Sequence, residues 1–144
     1  MSVATPEPVL TDRQLVDFFC KAFPSSPRES HLFEIIEPGF VRIRQTVHDS
    51  MLRPGGIVSG PTQMGLADRV AYAVILAHIG IVPMAVTSNL NISFVRAVEA
   101  RDLYADARII KLGRRLATVD VRLWQDDPDK VAAQATVTYS LPAQ

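Results

Sequence analysis

The chain has 144 residues, 48% of them hydrophobic, which suits one domain with a core of its own. Its 15 basic and 15 acidic side chains cancel, so nothing in the charge calls for a nucleic-acid partner or marks a disordered chain. The single cysteine, Cys20, excludes an internal disulfide; it fits a reducing, cytoplasmic setting, and its neighbours Phe18, Phe19 and Phe23 mark it as a small buried hydrophobe.

Residues 1–10 read as a loose leader, rich in Pro and Thr and without the basic-then-apolar pattern of a signal peptide. Residues 11–144 read as one domain. Thr11 or Asp12 caps a first helix, with Leu15, Val16, Phe18, Phe19 and Phe23 on its apolar side, and Pro24 to Pro27 end it. His31 to Glu37 and Phe40 to Val47 are predicted strands around a Pro38-Gly39 turn; Val41 and Ile43 alternate with Arg42 and Arg44, so one face is wet. Leu52 to Ser59, with Pro54, Gly55 and Gly56, is predicted to be a loop. Ser59 then caps a long apolar helix that Pro61 starts and Gly80 stops.

Four more strands follow by alternation. Val86, Ser88, Leu90, Ile92 and Phe94 are placed on one face of the first, with Thr87, Asn89, Asn91 and Ser93 on the other. Leu103 to Ile109, Val119 to Leu123 and Val131 to Tyr139 supply the rest. Short links between them favour antiparallel pairing, and a helix that is apolar nearly all round must be enclosed. An α+β fold with a sheet curled around the second helix satisfies both. The apolar stretch Val70 to Val86 is broken by His78, Gly80 and Pro83, so it reads as a buried helix and not a membrane span.

Asp68 and Arg69 are the only formal charges between Arg53 and Arg96, in the most apolar part of the chain. Adjacent helical residues do not face each other, so the two are not expected to pair. An aspartate is costly to bury, and Asp68 therefore stands as a functional candidate beside the alternative of an exposed stripe. His31, His48 and His78 show no ligand spacing, so no metal and no separate cofactor is expected.

The run Ser59-Gly60-Pro61-Thr62-Gln63-Met64-Gly65-Leu66-Ala67-Asp68 resembles the motif that opens the central helix of phenylacetate-degradation (PaaI-type) thioesterases of the hotdog fold. Asn91-Ile92-Ser93-Phe94-Val95-Arg96 resembles the strand that follows it. The resemblance implies a hotdog fold: an antiparallel sheet wrapped around a long central helix. It implies hydrolysis of a small acyl-coenzyme A thioester, with Asp68 as general base or nucleophile. The Gly60 backbone N–H would be the oxyanion donor, and Thr87 the residue that places water. The sequence departs from that motif at Ser59, where the family has His, at Pro61, where it has Gly, and at Arg53, where many members have Asn. A non-catalytic acyl-coenzyme A-binding protein of the same fold is the alternative. Substrate-binding candidates are Ser59, Pro61, Arg53, Tyr72, Asn89, Arg114 and Arg115, with Arg96 and Lys111 as further cations for the coenzyme's phosphates. The resemblance also implies a homodimer or dimer of dimers, with sites between subunits.

Overall fold

A computed structural model describes residues 6–26 and 28–143. Its first helix, α1 (Asp12–Ala22), starts at a capping box in which Thr11 and Gln14 satisfy each other's backbone donors. Only Leu15 and Phe19 of α1 are fully buried. Phe19 sits among the rings of Phe18, Phe23, His31, Phe33 and Tyr72, at centroid separations of 5.5–5.8 Å. Phe19→Ala is expected to cost about 3–5 kcal/mol of stability, read as a lowered midpoint in urea unfolding. Cys20 is only partly buried, with the Arg28 guanidinium beside its sulfur, which corrects the expectation of a buried hydrophobe. Residues 1–5 of the leader lie outside the described residues; the Val9 and Leu10 N–H groups donate to the Ala77 carbonyl, which docks the leader's end on the second helix.

A 3-10 turn (Arg28–His31) leads into β1 (Leu32–Glu37), which pairs with β2 (Phe40–Gln45). The predicted loop instead holds a small hairpin, β3 (Leu52–Arg53) with β4 (Ile57–Val58). It reverses at Gly55 and Gly56, whose φ values of 98° and 74° suit residues without a Cβ. The second helix, α2 (Gly60–Ile79), runs twenty residues, from the Ser59 cap to Gly80 at φ 94°.

Four strands complete the sheet: β5 (Val86–Phe94), β6 (Leu103–Leu112), β7 (Leu116–Trp124) and β8 (Ala133–Ser140). The order is β1-β2-β6-β7-β8-β5, antiparallel throughout. This is the hotdog arrangement. Helix α2 lies in the concave face, where Val70, Val74, Ile75 and Leu76 are wholly buried against Ile43, Val119, Val121 and Val137. Ala105, Ala107, Ala133 and Ala135 also point inward. Their short side chains let the strands close on the helix at interior density. On the convex face Arg42 pairs with Asp106 at 2.7 Å and lies over Trp124, which stacks on Tyr104. Trp124 is thus a packing residue of the outer face.

The register shifts at three places, in β1, β5 and β6, and the one in β5 matters for the site. A bulge interrupts the β5–β8 register between Thr87 and Asn89. Leu90 and Ile92 still pack on the core, but Thr87 is opposite the inward-facing Tyr139 and shares their face. The expected polar face of Thr87, Asn89, Asn91 and Ser93 is therefore corrected: Thr87 crosses to the inside. An extra residue in one strand shifts the phase of every side chain beyond it.

Candidate active site

Asp68 lies two turns into α2, where the helix passes the inner ends of β5 and β8. The Thr87 hydroxyl donates to Asp68 Oδ1 at 2.6 Å, and the Tyr139 hydroxyl donates to the same oxygen at 2.8 Å. Asp68 Oδ2 accepts nothing from the described residues. The carboxylate is thus held from one side and open on the other. Burial pushes the Tyr139 phenol well above its ordinary value, and the nearby Asp68 charge adds to this, so Tyr139 stays a protonated donor. Tyr139 stacks on Tyr72 with ring centroids 5.6 Å apart, and the Tyr72 hydroxyl donates to the Pro83 carbonyl.

These groups open onto a cavity of about 500 Å³. Pro61, Leu66, Tyr72 and Met51 give it apolar walls; Asp68, Arg69, Gln45 and Thr87 are its polar ones. Arg69 does not pair with Asp68, as the helical spacing requires; its guanidinium donates to the Gln45 side-chain carbonyl. His78 is a core residue: its Nε2 accepts from the Gly39 N–H and its Nδ1 faces the Val74 carbonyl. Among the described residues no group of His, Cys, Asp and Glu has the geometry of a metal site, and no helix is long and apolar enough to cross a membrane.

The thioesterase superfamily profile matches residues 55–132, more than half of the chain. The chain belongs to the thioesterase superfamily. A crystal structure from Silicibacter sp. TM1040, provisionally named a thioesterase, is 36% identical, covers 99% of each chain and superposes with a TM-score of 0.84. One from Ralstonia eutropha JMP134, provisionally named a thioesterase and described as phenylacetic acid degradation-related, is 28% identical over 76% of this chain and 83% of its own, with a TM-score of 0.71. A Streptococcus mutans UA159 protein solved with acetyl-CoA is 24% identical over 78% and 89% of the two chains, with a TM-score of 0.70; that likeness is one of fold.

The other candidates in this thioesterase-superfamily chain are spread over three clefts. Pro61 and Tyr72 share the cavity of Asp68. Ser59 caps α2, its Oγ accepting from the Thr62 N–H. Gly60 lines a second cleft of about 400 Å³ with Arg53, Arg96 and Phe94. It precedes Asp68 by eight residues, about 12 Å along the helix axis, so its N–H does not face Asp68 of the same chain. Arg114 and Arg115 border a third cleft with Ile79, at the far end of α2. Asn89 and Lys111 are exposed and line none of these clefts. Tyr139 was missed by the sequence reading. Its signal was a phenol at the end of an inward row of Ala133, Ala135 and Val137, where a buried hydroxyl needs a partner.

Proposed function

We propose that the protein hydrolyses acyl-coenzyme A thioesters, by PaaI-type chemistry centred on Asp68. The observation that carries this is the half-open carboxylate: Oδ1 is fixed by two hydroxyls, Oδ2 accepts from no described residue, and Asp68 lines a cavity of the size a small acyl group needs. A water on the cavity side gives its proton to Asp68 Oδ2 as its oxygen attacks the thioester carbonyl. The tetrahedral intermediate then expels the coenzyme A thiolate, which takes that proton back; the products are the acid and the free thiol. Thr87 positions the carboxylate and offers its own lone pairs to the water. Superfamily membership and the acetyl-CoA-bound protein of the same fold support a coenzyme A thioester as substrate.

The oxyanion donor comes from a second subunit in this reading. Strand β5 is the outer edge of the sheet, its backbone unpaired on one side, and Val86, Phe94 and the adjoining Val95 are exposed along it. Thr87 marks the Asp68 end of β5. Phe94 marks the other end, against Gly60, where a Cβ would touch its ring at 3.4 Å. An antiparallel pairing of two β5 strands centred on Asn91, with the bulge after Thr87 taking up one residue, brings the Thr87 end of one protomer to the Phe94 end of the other. The Asp68 cavity then meets the partner's helix N-terminus, where an N–H free of the helix and the positive end of the dipole stabilise an oxyanion. Arg53 and Arg96 arrive with it, suited to the coenzyme's phosphates.

The test is thiol release from a panel of acyl-coenzyme A esters; no release from any of them overturns the proposal. Tyr139→Phe keeps the ring stack and removes one hydrogen bond to the carboxylate. It is expected to lower kcat about tenfold with KM little changed, as loss of a bond to a charged group implies.

A further inference from the structure

Asp68 has donors enough, but its neighbour Arg69 has no charged acceptor among the described residues. Arg69 follows Asp68 by about 100° around the helix, so both reach the cavity without facing each other. Its one hydrogen-bond partner among the described residues is the amide oxygen of Gln45, a neutral group. Gln45 is 3% exposed and is itself held through its NH₂ on the Thr46 carbonyl, so it orients the guanidinium without neutralising it. Arg69 Nε is enclosed and donates to nothing, and no ion pair among the described residues includes Arg69.

No carboxylate among the described residues supplies the missing charge. Burial pushes Arg69 down to about 10, which still leaves it a cation at neutral pH. His31, on which the Arg69 charge acts, is fully buried with both ring nitrogens unpartnered among the described residues. Burial first, and Arg69 second, push it down to about 4, so it stays neutral. A folded chain rarely encloses an uncompensated cation, and one on the wall of a binding cavity is matched when an anion enters. A guanidinium on the cavity wall suits a carboxylate, whose oxygens accept charge-assisted N–H···O bonds.

We infer that the cavity takes an acyl group bearing a second carboxylate, so that the substrate is the coenzyme A monothioester of a short dicarboxylic acid, with Arg69 receiving the distal acid group. This rests on the hydrolase reading above and adds the substrate class. Leu66, Tyr72, Met51 and Phe23 enclose the carbon chain between the thioester at Asp68 and the carboxylate at Arg69.

Glutaryl-coenzyme A and valeryl-coenzyme A share chain length and differ in a terminal carboxylate against a methyl. The wild type is expected to favour glutaryl by about a hundredfold in kcat/KM, because a site built around a polar group rejects the analogue that lacks it. Arg69→Met is expected to remove that preference by slowing glutaryl and sparing valeryl, and Arg69→Lys to retain part of it. A wild type that hydrolyses both equally well overturns the inference while leaving the hydrolase reading intact. So does an Arg69→Met variant that slows both equally, the result expected if Arg69 grips the coenzyme's phosphates. If neither is hydrolysed while another acyl-coenzyme A of the panel is, the inference is overturned and the hydrolase reading stands; if no member of the panel is hydrolysed, the hydrolase reading fails, and calorimetric binding decides the ligand class. Tighter binding of glutaryl- than valeryl-coenzyme A, lost in Arg69→Met, retains the inference; equal Kd values overturn it.

Discussion

Asp68→Asn is expected to lower kcat by about a thousandfold, within the range that loss of a positioned general base produces. The amide has nearly the shape of the carboxylate, and its oxygen can still accept from Thr87 and Tyr139. The other oxygen becomes an NH₂, which cannot take a proton from water. Binding is expected to survive, because Asp68 contributes a proton acceptor and not the apolar wall formed by Leu66, Tyr72 and Met51. The change should therefore fall on kcat, with KM within a few-fold of wild type, the signature of an interaction made in the transition state. Thiol release under saturating substrate reads it directly. A variant that keeps wild-type kcat removes Asp68 from the chemistry. A variant that binds acyl-coenzyme A as the wild type does, where the wild type also shows no turnover, selects the binding-protein alternative.

Much of the frame was legible because it depends on local rules that nothing later overrides. Ser59, Pro61 and Gly80 bound α2 at the positions that capping chemistry assigns. Val119, Val121, Leu123, Ala133, Ala135 and Val137 alternate into the core as written. Asp68 stood out because a charge in an apolar helix needs a reason. The site's fine structure was not legible, since it depends on events of register. No residue type in Val86-Thr87-Ser88-Asn89 announces a bulge, yet the bulge turns Thr87 inward and brings its hydroxyl to Asp68. Tyr139 is distant in sequence and meets Asp68 only because β8 lies between β7 and β5. The sequence shows only that Arg69 cannot pair with Asp68. Its isolation emerges only with Gln45 buried beside it.

Mixing two inactive variants is expected to restore about a quarter of wild-type activity if the site is shared between subunits. Asp68→Asn removes the base. Gly60→Pro removes the N–H at the first residue of α2, a position where proline is well tolerated. Ser59 before it is already extended, with φ −70° and ψ 154°, as a residue preceding proline must be. Each variant alone should be down by about a hundredfold or more, the proline variant because an oxyanion donor is lost. After subunit exchange about half of the dimers are mixed. Each mixed dimer holds one site with both defects and one with neither, because the intact Asp68 of the proline variant faces the intact Gly60 of the asparagine variant. The recovered kcat should approach about one quarter per subunit, with the wild-type KM. A site built wholly within one chain gives no recovery at any mixing ratio. That result would detach Gly60 from the partner role, and it would leave Asp68, Thr87 and Tyr139 to act with a donor on their own subunit. Recovery, in contrast, requires the β5 edges to meet, because only a neighbouring chain carries a second α2 N-terminus within reach of the carboxylate.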